Sequence, residues 1–181
     1  MSPYLADATR AMSFTNSKIQ HGAFNRIDSN GPVDAFQKVA LRVAAAPYFS
    51  IPRWLQTYKV EHFSNASMLE IDELRKLAAH ADKVGLGNCM EHAATAFLYL
   101  FDLNVSPIVF CGNVSTFSGH AFVMLGSSVT SRSFTISEQE NAVICDPWDR
   151  VVFEIGNESE RAKSWMRKWG GETIGGLRFT L

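Results

Sequence analysis

Apolar positions change their spacing near the middle of the chain. From about residue 33 to about residue 101 they recur every three or four residues, the helical period. In VDAFQKVALRVAAA (33–46), Phe36, Val39, Ala40 and Val43 fall on one helical face, with Pro32 suited to the first turn and Pro47 just past the end. Ile51, Trp54, Leu55 and Tyr58 predict a second helix within 50–63. Ser67-Met68-Leu69-Glu70 has the capping-box pattern, so a further helix should run to about Asp82 and stop in the glycines of VGLG. From Glu91 to Phe101, Ala93, Ala94, Ala96, Phe97, Leu98 and Leu100 cover most of a helix circumference and predict a buried helix.

Beyond that point the period falls toward two. SPIVFC (106–111), HAFVMLG (120–126), SRSFTIS (131–137), AVICD (142–146) and VVFEI (151–155) are short, β-branched or aromatic, and separated by turn formers. NESERAKSWMRKW (157–169) predicts a late amphipathic helix, and LRFTL a last strand. Helices followed by a mostly antiparallel sheet make the fold class α+β. Residues 1–31 show no period and close on Ser29-Asn30-Gly31-Pro32; they read as a flexible or loosely packed leader, or an export region, ahead of a single domain over 32–181.

Composition narrows the picture in only a few ways. At 181 residues, 46% hydrophobic and 19% charged, the chain is an ordinary soluble globule with enough length for its own core. A net charge of −1 lacks the basic excess that nucleic-acid and anionic-membrane binders carry. No apolar run approaches the roughly 20 residues of a membrane span, and MSPYLADATR lacks the layout of a cleavable signal peptide. Cys89, Cys111 and Cys145 are an odd set without a CxxC pair, which points away from a disulfide framework and toward a reducing compartment.

The chemistry concentrates in three segments. In GLGNCMEHA, Cys89 stands where a glycine-rich turn enters a helix. Unpaired N–H groups and the positive end of the helix dipole favour a thiolate there, and the same groups face the space where a tetrahedral oxyanion would form. Gly85 and Gly87 permit a tight turn and close approach of a substrate. In GHAFVML, His120 opens an alternating strand and shares a face with Phe122 and Met124. In NAVICDPW, Asp146 ends a strand stopped by Pro147; parity groups it with Ala142 and Ile144, and sets Val143 and Cys145 on the other face. Were the two strands neighbours with these faces toward the Cys89 helix, imidazole would lie between thiol and carboxylate. Asp146 would then hold Nδ1–H and leave Nε2 facing sulfur. Trp148, beside Asp146, is a candidate wall that shields the pair from water.

Rival readings use the same residues. A buried structural cysteine, a hydrogen-bonded strand histidine and a turn aspartate are each common alone. His92, three residues after Cys89, is an alternative base or, with Cys89 and Cys145 or His120, part of a zinc site. Glu91 reads as a first-turn carboxylate that favours the helix dipole, Cys111 and Cys145 as core residues, and Trp54, Trp165 and Trp169 as packing residues. Lys163, Arg167 and Lys168 make a solvated basic end to the late helix.

Taken in order, GNCMEHA, GHAFVML and AVICDPW resemble the Cys-His-Asp core of the transglutaminase-like branch of papain-like folds, over roughly residues 84–155. The closest likeness is to compact bacterial effectors delivered into host cells by specialised secretion systems. The resemblance implies a papain-like or transglutaminase-like core with a central nucleophile helix. It implies Cys89 as nucleophile, His120 as general base and acid, and Asp146 as orienting carboxylate, with no cofactor and no metal. Asn88, Gly87 and Trp148 are candidate site-lining residues; no Gln precedes the cysteine as in papain, which leaves the second oxyanion donor open, with Asn88 a candidate by proximity alone. The implied activity is acyl transfer through a thioester on a protein substrate, most simply a host protein. That means glutamine deamidation or transglutamination, with papain-like proteolysis or an inert binding module as alternatives. The implied location is the bacterial cytoplasm before export and the host cytosol after it, and a regulatory or inhibitor protein is left open. The pattern departs from the family in the 26-position separation of His120 and Asp146, which requires an extra strand or excursion through SVTSRSFTISEQEN.

Overall fold

A computed structural model describes residues 2–21, 68–113, 120–127, 133–139, 141–169 and 173–179. The helices predicted over 33–46 and 50–63, and the Ser67 cap, lie outside them. The described elements in chain order are α1 (Tyr4–Lys18), α2 (Met68–Val84), α3 (Cys89–Asp102), β1 (Ile108–Asn113), β2 (Ala121–Leu125), β3 (Ser133–Thr135), a 3-10 turn (Ile136–Glu138), β4 (Val143–Asp146), β5 (Val151–Glu154), α4 (Glu160–Trp169) and β6 (Thr173–Phe179). The fold is α+β. Its sheet runs β3-β6-β1-β2-β4-β5 with every neighbouring pair antiparallel. No helix among the described residues is long and apolar enough to cross a membrane.

Alternation along the strands gives the sheet two apolar faces, and each is covered. On one, Ile108, Phe110, Ala121, Val123, Leu125, Val143 and Cys145 pack beneath α1, α2 and α3. On the other, Val109, Cys111, Phe122, Met124, Ile144, Val151 and Phe153 meet Ala162, Trp165 and Trp169 of α4. The first layer centres on α3, where Ala93, Ala94 and Ala96 are fully buried. Such small side chains let flanking helices and strands approach closely, and Phe97 fills the space between, edge-on to Phe110 at 5.9 Å.

The reading of residues 1–31 as a loose leader is corrected over Tyr4–Lys18, which form α1 against α3 and β4. Its buried stripe is Ala8, Ala11 and Thr15, all 0% exposed. Small residues and a threonine make a helical period that carries almost no hydrophobic signal. The Thr15 hydroxyl is satisfied within the helix by the Ala11 carbonyl at 2.9 Å, and the Tyr4 hydroxyl donates to the Ser106 carbonyl at 3.0 Å. Of the segment predicted as a strand over 131–137, the described residues are strand at Ser133–Thr135 and turn at Ile136, and the strand pairs with β6 rather than with β2 or β4. That is the excursion required between His120 and Asp146.

Candidate active site

The turn into α3 is built by two glycines. Gly85 ends α2 at φ +67, where a side chain would be strained and a Cβ would come within 2.7 Å of the His21 ring. At Gly87 a Cβ would come within 2.9 Å of Glu91 Cβ, so this position is small in order to seat the helix start. Asn88 is the N-cap and Glu91 the third helical residue of a capping box, the Glu91 carboxylate accepting the Asn88 backbone N–H at 2.7 Å. Both side chains are buried, Asn88 fully. Cys89 is therefore the first residue of a rigid helix, half-buried, with first-turn N–H groups and the dipole beside its sulfur.

His120 and Asp146 come together at one end of the sheet. β2 and β4 are neighbours with Val123 opposite Cys145; one further step sets Phe122 opposite Asp146 and puts His120 on the diagonal. His120 Nε2 lies 2.6 Å from Asp146 Oδ2, and the two residues are 3% and 0% exposed. The Cys89 side chain is the other hydrogen-bond partner of the His120 ring, so imidazole stands between thiol and carboxylate. Two sequence expectations are corrected here. The face shared by His120, Phe122, Ile144 and Asp146 is turned to α4, not to the Cys89 helix, which covers the opposite face. Cys89 meets His120 past the end of the sheet, because both the helix N-terminus and the two strand ends lie there. The ring is also turned the other way: Nε2, not Nδ1, addresses Asp146, which leaves Nδ1 for sulfur.

A buried carboxylate persists only with its oxygens hydrogen-bonded. Asp146 Oδ2 accepts from both His120 Nε2 and the indole Nε1 of Trp165 (2.8 Å), and Oδ1 accepts the Asp149 backbone N–H at 3.1 Å. Burial by itself would push the His120 pKa down. The Asp146 and Cys89 hydrogen bonds and their negative charge outweigh it and raise the value to about 9.

His92, the rival base, turns back into its own helix. Its Nδ1 donates to the Asn88 carbonyl at 2.8 Å, and burial lowers its pKa, which keeps it neutral at pH 7. Cys145 faces the opposite layer, its thiol 3.4 Å from the Ala8 carbonyl, and Cys111 lies 3.7 Å from the Val109 carbonyl. Burial pushes both thiols well above their ordinary range. Among the described residues no group of three or more His, Cys, Asp and Glu side chains is arranged to hold a metal ion.

Three tryptophans surround the pair. Trp148 is half-buried, its ring centre 5.3 Å from that of His120. Trp169 stacks on the imidazole at 4.4 Å and 14°, with Lys168 Nζ 4.5 Å from the Trp169 ring centre. Trp165 and Trp169, read from sequence as packing residues only, also line the site. Their spacing of four on one helical face was the available signal, since a buried indole N–H seeks an acceptor. No protein-family profile, curated protein or solved structure matches the chain.

Proposed function

We propose that the protein is a cysteine-dependent acyl-transfer enzyme acting on a carboxamide of a protein substrate, in the first instance a glutamine deamidase. The observation that carries this reading is an imidazole held between a helix-terminal cysteine and a buried carboxylate. In this mechanism the Cys89 thiolate attacks the carboxamide carbon, and the oxyanion faces the first-turn N–H groups of α3. His120 Nδ1 gives its proton to the departing nitrogen, ammonia leaves and a thioester remains. Water then attacks the thioester, His120 takes its proton, and glutamate is released as the thiolate reforms. A lysine amine in place of water would yield a crosslink.

Access supports a side-chain amide. Cys89 is the accessible member of the triad, while His120 and Asp146 lie behind it among Trp148 and Trp169. A glutamine can reach such a sulfur on its aliphatic stem, whereas an extended backbone needs subsites on both sides. The likeness to secreted effectors leads us to propose a host protein as substrate and delivery by a secretion system.

The test is ammonia release from candidate protein substrates, with the converted glutamine located by peptide mass spectrometry. Because the acid must be protonated, turnover should hold through neutral pH and fall as pH rises through about 9. New peptide termini without ammonia would assign proteolysis instead. An activity that instead rose through pH 9 would refute His120 as the acid.

A further inference from the structure

The Asp146 carboxylate receives two side-chain donors on one oxygen, and the acyl-transfer chemistry uses only one of them. We infer that Trp165 is a positioning residue for this triad, its indole N–H holding the Asp146 carboxylate in the orientation that addresses His120. The inference rests on the acyl-transfer reading for its effect on turnover, but not for its effect on the imidazole itself.

The geometry is specific. Trp165 is 3% exposed and its Nε1 lies 2.8 Å from Oδ2, the atom that His120 Nε2 approaches to 2.6 Å. Its ring is clamped edge-on by Phe122 at 5.1 Å and by Phe153 at 5.4 Å, so the donor is fixed from two strands. With Oδ1 tied to the Asp149 N–H, rotation of the carboxylate is blocked at both oxygens. Trp169, one helical turn on, stacks on the imidazole, so α4 sets both members of the pair.

The indole dipole also acts on the proton. Its positive end sits against Oδ2 and so stabilises Asp146 most when His120 is neutral and no longer compensates the carboxylate. Removing it should therefore make His120 hold its proton more tightly. Among the described residues, the ionisable groups around the pair are Cys89, Glu91 and His92 on α3, Asp149 and Arg150 in the turn after Asp146, and Lys168 on α4. The substitution Trp165→Phe alters none of them and keeps an aromatic ring against Phe122 and Phe153.

The experiment is an NMR titration of His120 in the full chain, wild type against Trp165→Phe, alongside kcat and KM. The expected result is a midpoint raised by about one pH unit, with kcat lowered about tenfold and KM little changed. In the wild type, the Trp165 indole N–H resonance should move with the His120 titration, a readout that needs no variant to fold. A folded variant whose His120 midpoint is unchanged, or a wild-type indole resonance blind to that titration, would overturn the inference. If the wild type turned over no carboxamide while the indole and midpoint shifts appeared, the positioning role would stand and the enzymatic reading would fail.

Discussion

Cys89→Ala is expected to abolish turnover while the protein stays folded. The loss should be on the order of 10⁶ in kcat, the size found when a nucleophile is removed from a working triad. Folding should survive because Cys89 is half-buried at the first turn of α3. The capping box of Asn88 and Glu91, not the thiol, fixes the helix start. Melting temperature and ammonia release on one preparation separate the two effects. Cys145 provides the contrast. It is 0% exposed in the helix-covered layer, so its truncation should cost stability rather than chemistry. A Cys89→Ala protein that kept its biological effect in full would mark a binding module.

Asp146→Asn is expected to lower kcat by about 10³–10⁴, the scale of amide-for-carboxylate exchange in an orienting position. Among the described residues, the three groups hydrogen-bonded to this carboxylate are all donors: His120 Nε2–H, Trp165 Nε1–H and the Asp149 N–H. An amide has one acceptor end, so either orientation turns its NH₂ against a donor. The negative charge is lost as well. With that support gone, His120 should fall from about 9 toward its ordinary value of 6.5, and the alkaline limb of the rate profile should move down with it. The pH profiles of wild type and variant, compared at saturating substrate, check both magnitude and direction. An unshifted limb would mean that the limb belongs to another group.

What could be read in the sequence follows from where one signal dominated. The strands of HAFVML and AVICD alternate strictly, and their parity placed His120 with Asp146 and set Cys145 apart, as the two layers show. The Asp146-Pro147 stop and the α3 helix were equally legible, from a missing donor and an all-round apolar surface. Parity says which residues share a face but not which helix covers it, so the α4 side of the sheet could not be foreseen. α1 stayed hidden because Ala8, Ala11 and Thr15 bury by close approach rather than by hydrophobicity. The ring orientation of His120 and the hydrogen bond from Trp165 depend on side-chain placement between distant elements, which no local pattern encodes.

An imidazolium beside a sulfur favours the thiolate, and a thiolate is what an alkylating reagent detects. The rate of Cys89 alkylation by iodoacetamide against pH, read by peptide mass spectrometry in wild type and His120→Ala, therefore addresses the triad without knowledge of the substrate. Cys111 and Cys145 are buried internal references in the same digest. The predicted result is a Cys89 that reacts alone at neutral pH and slows by about tenfold or more without His120. A Cys89 no faster than the two buried thiols in a folded protein, or one indifferent to His120→Ala, would contradict the nucleophile assignment.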